Sequence, residues 1–344
     1  MRGRFRLIPS GRSDSLARNA RDGLSRSNDS VSSSVSPTIR WLLDGDPAIR
    51  WQTLRDVLDA PARVVTRERN NTARDGWGAR LLAEQDERGG WASEGSTDGG
   101  LYAPKWKSTT YTMLLLRDFG LPPATSQAHR ACALLLERGL RGDGGINYGR
   151  HEASETCITG MVLSILSYFE HDDERVDTVA QHLLAAQMPD GGWNCRRSRG
   201  ATHASMHTTI SVLEGLYWYE HARRRNTRAV RAAQHRGREF LLAHRLFRSH
   251  RTGNVIKSEF TRLVFPPRWH YDILRALDYF RASEAPRDER LSEAIDIVRA
   301  RAAPDGRWTL PYEYKGRTYF TLERVGGPSR WNTLRALRVL KWWS

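Results

Sequence analysis

Cys157, His207 and Asp272 place a thiol, an imidazole and a carboxyl near the starts of three successive apolar segments. Donors of such mixed type suit a metal ion or nucleophilic chemistry, and neighbouring helix starts can bring them together. Cations accompany them. Lys105 and Lys107 flank Trp106 in a chain with five lysines against 49 arginines, and an ammonium is a good point charge for phosphate. Arg150, Arg268 and Arg330 stand at comparable positions ahead of other segments. Aromatic residues recur at the same places: Trp51, Trp106, Tyr111, Tyr148, Trp269, Tyr271 and Trp331, with His270 among them. These rings can wall an apolar or carbocation-stabilising cavity; they suit ordinary packing between helices equally well. Cys195 and His203 are alternative donors in the stretch that feeds the fourth segment.

Two kinds of helix have to position these groups. Amphipathic runs with apolar residues at three- and four-residue spacing fall at 38–43, 76–85, 126–137, 174–187, 228–243 and 289–301. Between them lie segments that open on a small or polar cluster and turn strongly apolar, near Pro47, Ser108, Ser154, Ser205, Arg268 and Ser329. A helix apolar nearly all round is buried, so the second set is internal. Two stretches between the sets are near copies, Gln85-Asp86-Glu87-Arg88-Gly89-Gly90-Trp91 and Gln187-Met188-Pro189-Asp190-Gly191-Gly192-Trp193. Relaxed copies stand at Gly144-Gly145-Ile146 and Asp305-Gly306-Arg307-Trp308. Recurrence at this spacing marks a repeat architecture. Six internal and six external helices in alternation describe an all-α fold, an (α/α)6 toroid or barrel, in which closing the ring gives every hairpin two neighbours. The toroid is expected to span residues 37–344 as one domain, behind a disordered Ser/Arg-rich tail over residues 1–36.

Composition narrows the function. The formal charge is +15, but the arginines are dispersed along the chain and no zinc-finger spacing or RNA-recognition signature is present. No specific nucleic-acid partner is therefore expected. No apolar run is long enough for a transmembrane helix, no secretory signal is read at the N-terminus, and three scattered cysteines form no disulfide framework. A cytoplasmic location is the expectation.

The Gln…Gly-x-Trp repeats resemble the QxxxGxW repeats of squalene-type cyclases, within the terpenoid-cyclase and protein-prenyltransferase superfamily. The resemblance covers the chain after the tail, and it implies that the repeat Gln and Trp tie outer helices together away from the cavity. Squalene-type cyclases use an Asp-rich DxDD acid. The nearest cluster here, Asp172-Asp173-Glu174-Arg175, opens an outer helix where carboxylates favour the helix dipole, so protonation-driven cyclisation is not expected. Gly149-Arg150-His151-Glu152-Ala153-Ser154-Glu155-Thr156-Cys157 and His207-Thr208-Thr209-Ile210-Ser211-Val212-Leu213-Glu214-Gly215-Leu216 are similar to two inner-helix starts of prenyltransferase β subunits. That similarity implies zinc ligands at Glu155, Cys157 and His207, with Glu155 in place of the family's Asp, and a diphosphate grip at Arg150. Three mixed O, S and N ligands with a fourth position open make a catalytic zinc site, able to hold a substrate thiolate or polarise water.

The function expected on these grounds is a zinc-dependent, prenyltransferase-like enzyme acting on an isoprenoid diphosphate, or another lipid-like small molecule, in the centre of the toroid. The family also implies a helical partner subunit. The alternatives are a non-catalytic toroid that binds a lipid or protein partner, and a carbohydrate-active α/α barrel using paired carboxylates such as Glu155, Asp272 and Glu323.

Overall fold

The computed structural model describes residues 36–149, 153–223 and 227–344. Arg150 and the tail ahead of Ser36 lie outside the described residues. The described chain is mostly helical: α1 (Pro37–Leu43), α2 (Pro47–Asp56), α3 (Ala62–Asn71), α4 (Gly76–Ala83), α5 (Thr109–Phe119), α6 (Ser126–Gly139), α7 (Thr156–Tyr168), α8 (Arg175–Ala185), α9 (Met206–Arg223), α10 (Arg228–Ala243), α11 (Ile273–Ala282), α12 (Ser292–Ala300) and α13 (Arg330–Trp343). Strand among the described residues is confined to one short antiparallel pair, β1 (Trp308–Thr309) with β2 (Pro328–Ser329).

Two classes of helix are distinguished by burial. Every residue of α7 except Cys157 is buried, and in α5 only Arg117 and Asp118 are not. By contrast, α8 buries Val176, Val179, Ala180 and Leu183, a single stripe at helical spacing. The starts follow local chemistry. Ser36 and Asp46 accept hydrogen bonds from Ile39 N and Ala48 N, with Pro37 and Pro47 opening the helices they cap. One element was not foreseen: α3 is an additional, partly exposed helix between the first two repeats. The fifth internal helix begins at Ile273, not near Arg268, because the chain makes a turn closed by His270 N on Pro267 O, with Arg268 in the left-handed region, before Asp272 caps the helix.

Six of the helices touch in sequence: α2 with α5, α5 with α7, α7 with α9, α9 with α11, α11 with α13, and α13 back to α2. The contact of α7 with α9 is the most extensive. Two glycines permit it: a Cβ at Gly160 would lie 2.8 Å from Ser211 O, and one at Gly215 2.6 Å from Gly160 O.

The repeats act as splints between helices. Gln85 Nε2 donates to Gly89 O and to Gln127 O of α6, and Trp91 Nε1 donates to Leu81 O of α4. Gln187 and Trp193 repeat this on Gly191 O, Ala233 O of α10 and Leu183 O of α8. A threonine in the first turn of the following buried helix accepts from the motif backbone in all four copies: Thr109 from Trp91 N, Thr159 from Ile146 N, Thr209 from Trp193 N and Thr333 from Trp308 N. The degenerate copies thus keep the bond that sets the angle between loop and helix even where they lack the Gln.

Candidate functional site

A cavity of about 630 Å³ is walled by all six of these helices, mainly by their C-terminal halves. Its apolar surface comes from Trp51, Tyr168, Tyr217, Trp218, Phe265 and Trp331. Its polar surface is an array of guanidinium and carboxylate groups. Arg275 grips Glu214 through two bonds, at 2.7 and 2.9 Å, and Arg117 adds a longer one at 3.4 Å while holding Asp118 at 2.8 Å. Arg338 bonds both oxygens of Asp278, and reaches Asp56 Oδ2 at 3.1 Å and Gln52 Oε1 at 2.7 Å. Arg281 and Arg335 also face Asp278. Arg69 differs: its guanidinium donates to Gly120 O and the Tyr168 hydroxyl, both neutral acceptors.

Burial alone would raise the pKa of Asp56, Glu214 and Asp278, because a carboxylate loses hydration. The neighbouring arginines outweigh that and hold all three below the ordinary carboxylate range: Arg55 and Arg338 at Asp56, Arg275 and Arg117 at Glu214, Arg338 and Arg281 at Asp278. These groups are acceptors with no proton to give near neutral pH. The cavity therefore offers cationic and aromatic surface without a general acid among these three.

Many of the expected site residues gather elsewhere, around the N-terminal turns of the same helices. Lys105 Nζ lies 5.1 Å from the Tyr102 ring, 5.8 Å from Trp106 and 5.6 Å from Trp269. Trp106 meets Tyr111 edge-on at 4.8 Å and His270 at 6.0 Å. His270 is stacked between Trp269 at 3.8 Å and Tyr314 at 3.5 Å, and the His207 ring packs edge-on against Trp269. Burial holds His207 down to about 4 and His270 to about 3, so both are neutral. The neighbouring Cys157, with Thr208 and Arg196, brings Cys195 down to about 6 against the opposing effect of its burial, while Cys195 and burial push the Cys157 thiol well above its usual range. Lys105 lies close enough to Cys157 and Glu155 to feel both charges.

The remaining expected residues have other work. Asp272 caps α11, accepting from Arg275 N at 2.7 Å and from Val264 N at 2.8 Å. Tyr148 donates to Leu135 O and Tyr271 to Leu246 O, both buried. Lys107 sits 4.2 Å from the Tyr319 ring, and Arg330 covers Trp41. Trp331 does line the cavity, stacked on Phe265 at 4.1 Å. Glu323 accepts from the backbone N–H groups of Arg330 and Trp331, at the start of α13.

The donor set inferred for zinc does not fit the ion. His207 Nδ1 accepts the Tyr271 backbone N–H at 2.8 Å, so the neutral ring carries its hydrogen on Nε2 and has no lone pair left for an ion. No group of three or more His, Cys, Asp or Glu among the described residues is arranged to hold a metal ion. The Cys157, His207 and Asp272 set is likewise divided among the first turn of α7, a ring cluster and a helix cap.

The sequence reading missed the cavity charges at Arg69, Arg117, Glu214, Arg275, Asp278, Arg335 and Arg338. A signal existed. Leu-Glu-Gly-Leu, Leu-Arg-Ala-Leu and Leu-Arg-Ala-Leu-Arg-Val-Leu set full charges between apolar neighbours of internal helices, where a buried charge needs a partner.

No family model matches the chain, and no curated protein matches it. Among solved structures it is similar to the type II terpene cyclase MstE from Scytonema in its apo form, at 14% identity and a TM-score of 0.33, over 81% of this chain and 98% of that one. No helix among the described residues is long and apolar enough to cross a membrane.

Proposed function

We propose that the six mutually touching helices form the inner wall of a closed (α/α)6 toroid, and that its cavity binds an anionic, largely apolar small molecule of the isoprenoid diphosphate class. The observation that carries this reading is the lining itself. Guanidinium groups and aromatic rings from all six helices converge on about 630 Å³, within the roughly 300–1,000 Å³ typical of small-molecule sites. Arg69, bonded only to neutral acceptors, is the cation most available to an incoming diphosphate oxygen. Trp51, Tyr217 and Trp218 offer π faces to an unsaturated hydrocarbon. Any reaction begins more readily by departure of an anion toward arginine than by protonation, because Asp56, Glu214 and Asp278 are ionised. Zinc has no part in this reading.

Binding without turnover is the second reading, favoured by the consumption of those same carboxylates in ion pairs. One experiment addresses both. Thermal denaturation is followed with farnesyl diphosphate, geranylgeranyl diphosphate, inorganic diphosphate or farnesol, while released diphosphate is assayed in parallel. Ligand at 100 times its dissociation constant adds about 2.7 kcal/mol of stability. The prenyl diphosphates should raise the melting temperature more than inorganic diphosphate or farnesol, and Arg69→Gln should abolish most of the shift. Diphosphate release separates enzyme from binder. A folded wild-type protein that no prenyl diphosphate stabilises refutes the ligand class.

A further inference from the structure

We propose that Arg268 anchors a binding site for a small monovalent anion of the halide class, separate from the large cavity and independent of what that cavity binds. The Arg268 side chain is buried, at 7% exposure. Among the described residues no carboxylate, carbonyl or hydroxyl accepts a hydrogen bond from its guanidinium, and Nη1 is wholly enclosed. The group packs over the Trp106 ring, with Cζ 5.4 Å from the centroid, and a ring face does not replace a hydrogen-bond acceptor. A buried charge left without a partner is costly, so the site favours whatever supplies one. The backbone that carries the side chain is pinned. Arg268 has a φ of 57° in the turn that His270 N closes on Pro267 O, and Arg275 Nη1 holds the Arg268 and His270 carbonyls at 3.4 and 2.7 Å. Burial lowers the Arg268 pKa to about 10, against the pull of Glu313, Tyr111 and Asp118, so it stays a cation at neutral pH.

The space that Arg268 faces selects the ligand. With Trp106, it lines a cavity of about 20 Å³ whose other walls include Leu115, Phe320 and Leu322, and the polar Thr112, Thr318 and Glu313. That volume admits one water-sized body, so a halide fits where sulfate or diphosphate does not. A guanidinium gives such an anion a charge-assisted bond. The outer wall is a strap over residues 313–322. Trp106 Nε1 holds it through Tyr314 O and Lys315 O, at 2.9 and 3.1 Å, and Trp106 N and Lys105 O pair with Arg317 O and Arg317 N. An anion on Arg268 therefore ties this strap to α5 and to the turn ahead of α11. Glu313 is the carboxylate of the lining, and its charge opposes an anion. That makes it the residue that separates a bound anion from a water bridging Arg268 to Glu313.

The test uses the full chain, with chloride replacing gluconate at constant ionic strength. Thermal denaturation reads the linkage, and the width of the chloride NMR line reads binding directly. The melting temperature should climb with the logarithm of chloride concentration once the site fills, and the protein should broaden the chloride line. Bromide should narrow that line by competition, whereas inorganic diphosphate, which the small cavity excludes, should leave the Arg268-dependent part of the broadening in place. Arg268→Gln should abolish the chloride dependence of melting and that part of the broadening. Glu313→Gln, on the partly exposed strap, removes the opposing charge and should tighten chloride binding by about tenfold. If Arg268→Gln does not fold, the wild-type titration and Glu313→Gln decide the matter. Three results would overturn the proposal: melting of the wild-type protein that is indifferent to chloride, broadening undiminished in folded Arg268→Gln, or chloride binding that Glu313→Gln leaves unchanged or weakens.

Discussion

Arg338 is the most constrained charge in the cavity, and replacing it is the sharpest test of how the buried ion pairs work. Its guanidinium bonds both Asp278 oxygens, Asp56 and Gln52, and the residue is 9% exposed. Arg338→Met preserves the aliphatic stem and removes the charge. Asp278 would retain Arg281 at 3.1 Å and Arg335 at 3.8 Å, and Asp56 would retain Arg55 at 2.5 Å. Breaking a buried pair at one partner costs roughly 3–5 kcal/mol, and the remaining arginines place the expected loss near the lower end, about 3 kcal/mol. With about 2.1 cal/mol/K of unfolding entropy per residue over roughly 300 residues, that corresponds to a fall in melting temperature of about 5 °C. Pairing Arg338→Met with Asp278→Asn removes the abandoned charge, so the double variant should be more stable than the two single losses summed, by about 1–3 kcal/mol. Urea denaturation of the four proteins measures this. A neutral Arg338→Met, or strict additivity in the cycle, would refute the account of these pairs as mutually dependent.

Acid should weaken the same network. Asp56, Glu214 and Asp278 have folded pKa values below their unfolded ones, so their contribution is fully present above about pH 5 and is lost as pH falls further; Arg338→Met should flatten that part of a urea-midpoint profile. His207 and His270 act in a higher window. Burial depresses them to about 4 and about 3, so the unfolded chain binds protons first and stability should fall as pH drops from about 6.5 to about 4; His207→Gln should reduce the slope of the same profile there. Trp193→Ala removes a fully buried ring and the splint to Leu183 O; about 3–5 kcal/mol should be lost in denaturant titration. Gly160→Ala drives a methyl against the Ser211 carbonyl of α9 and should cost about 1–3 kcal/mol, with Ala elsewhere on an outer helix face as the neutral control.

The alternation of helix types was legible because burial writes itself into composition. The apolar uniformity of Thr156–Tyr168 and the single stripe of Arg175–Ala185 are opposite patterns, and both helices lie within a few residues of their expected bounds. Helix α3 was not legible, since Ala-Arg-Val-Val-Thr-Arg-Glu-Arg-Asn-Asn buries no residue fully and is so polar that little beyond Val64 and Val65 marks an apolar side. The site was read in half. Sequence position identified Lys105, Trp106, Tyr111, Cys157, Trp269 and His270 as neighbours of the helix starts, and they do gather. It could not tell which side chains a loop would turn toward one another. Cys195 lies against the first turn of α9 because the Trp193 loop bends back onto Thr208 and Thr209, a long-range geometry that spacing does not encode. The arginines of the cavity escaped for another reason: in a chain with 49 of them, an individual guanidinium carries no compositional signal, and only its position inside an apolar helix distinguishes it.

The direction of the helices explains why the two ends differ in chemistry. If the proposed alternation holds, all six inner helices run the same way, and their N-terminal turns share one end. That end presents unsatisfied N–H groups and favours negative charge, as where Glu323 accepts from the Arg330 and Trp331 N–H groups at the start of α13. The opposite end presents carbonyls, which favour cations, and Arg55, Arg117 and Arg281 stand in the last turns of α2, α5 and α11. An anion in the cavity therefore has little help from backbone donors and must be held by guanidinium groups. This requirement separates charge from geometry at Arg69. Arg69→Lys keeps the cation near the carbonyl ends but loses the planar fork that bonds Gly120 O and Tyr168 at once. Lysine should therefore restore only part of the prenyl diphosphate stabilisation lost in Arg69→Gln. Full restoration would mean that bulk positive charge, and not a shaped donor array, draws the anion in.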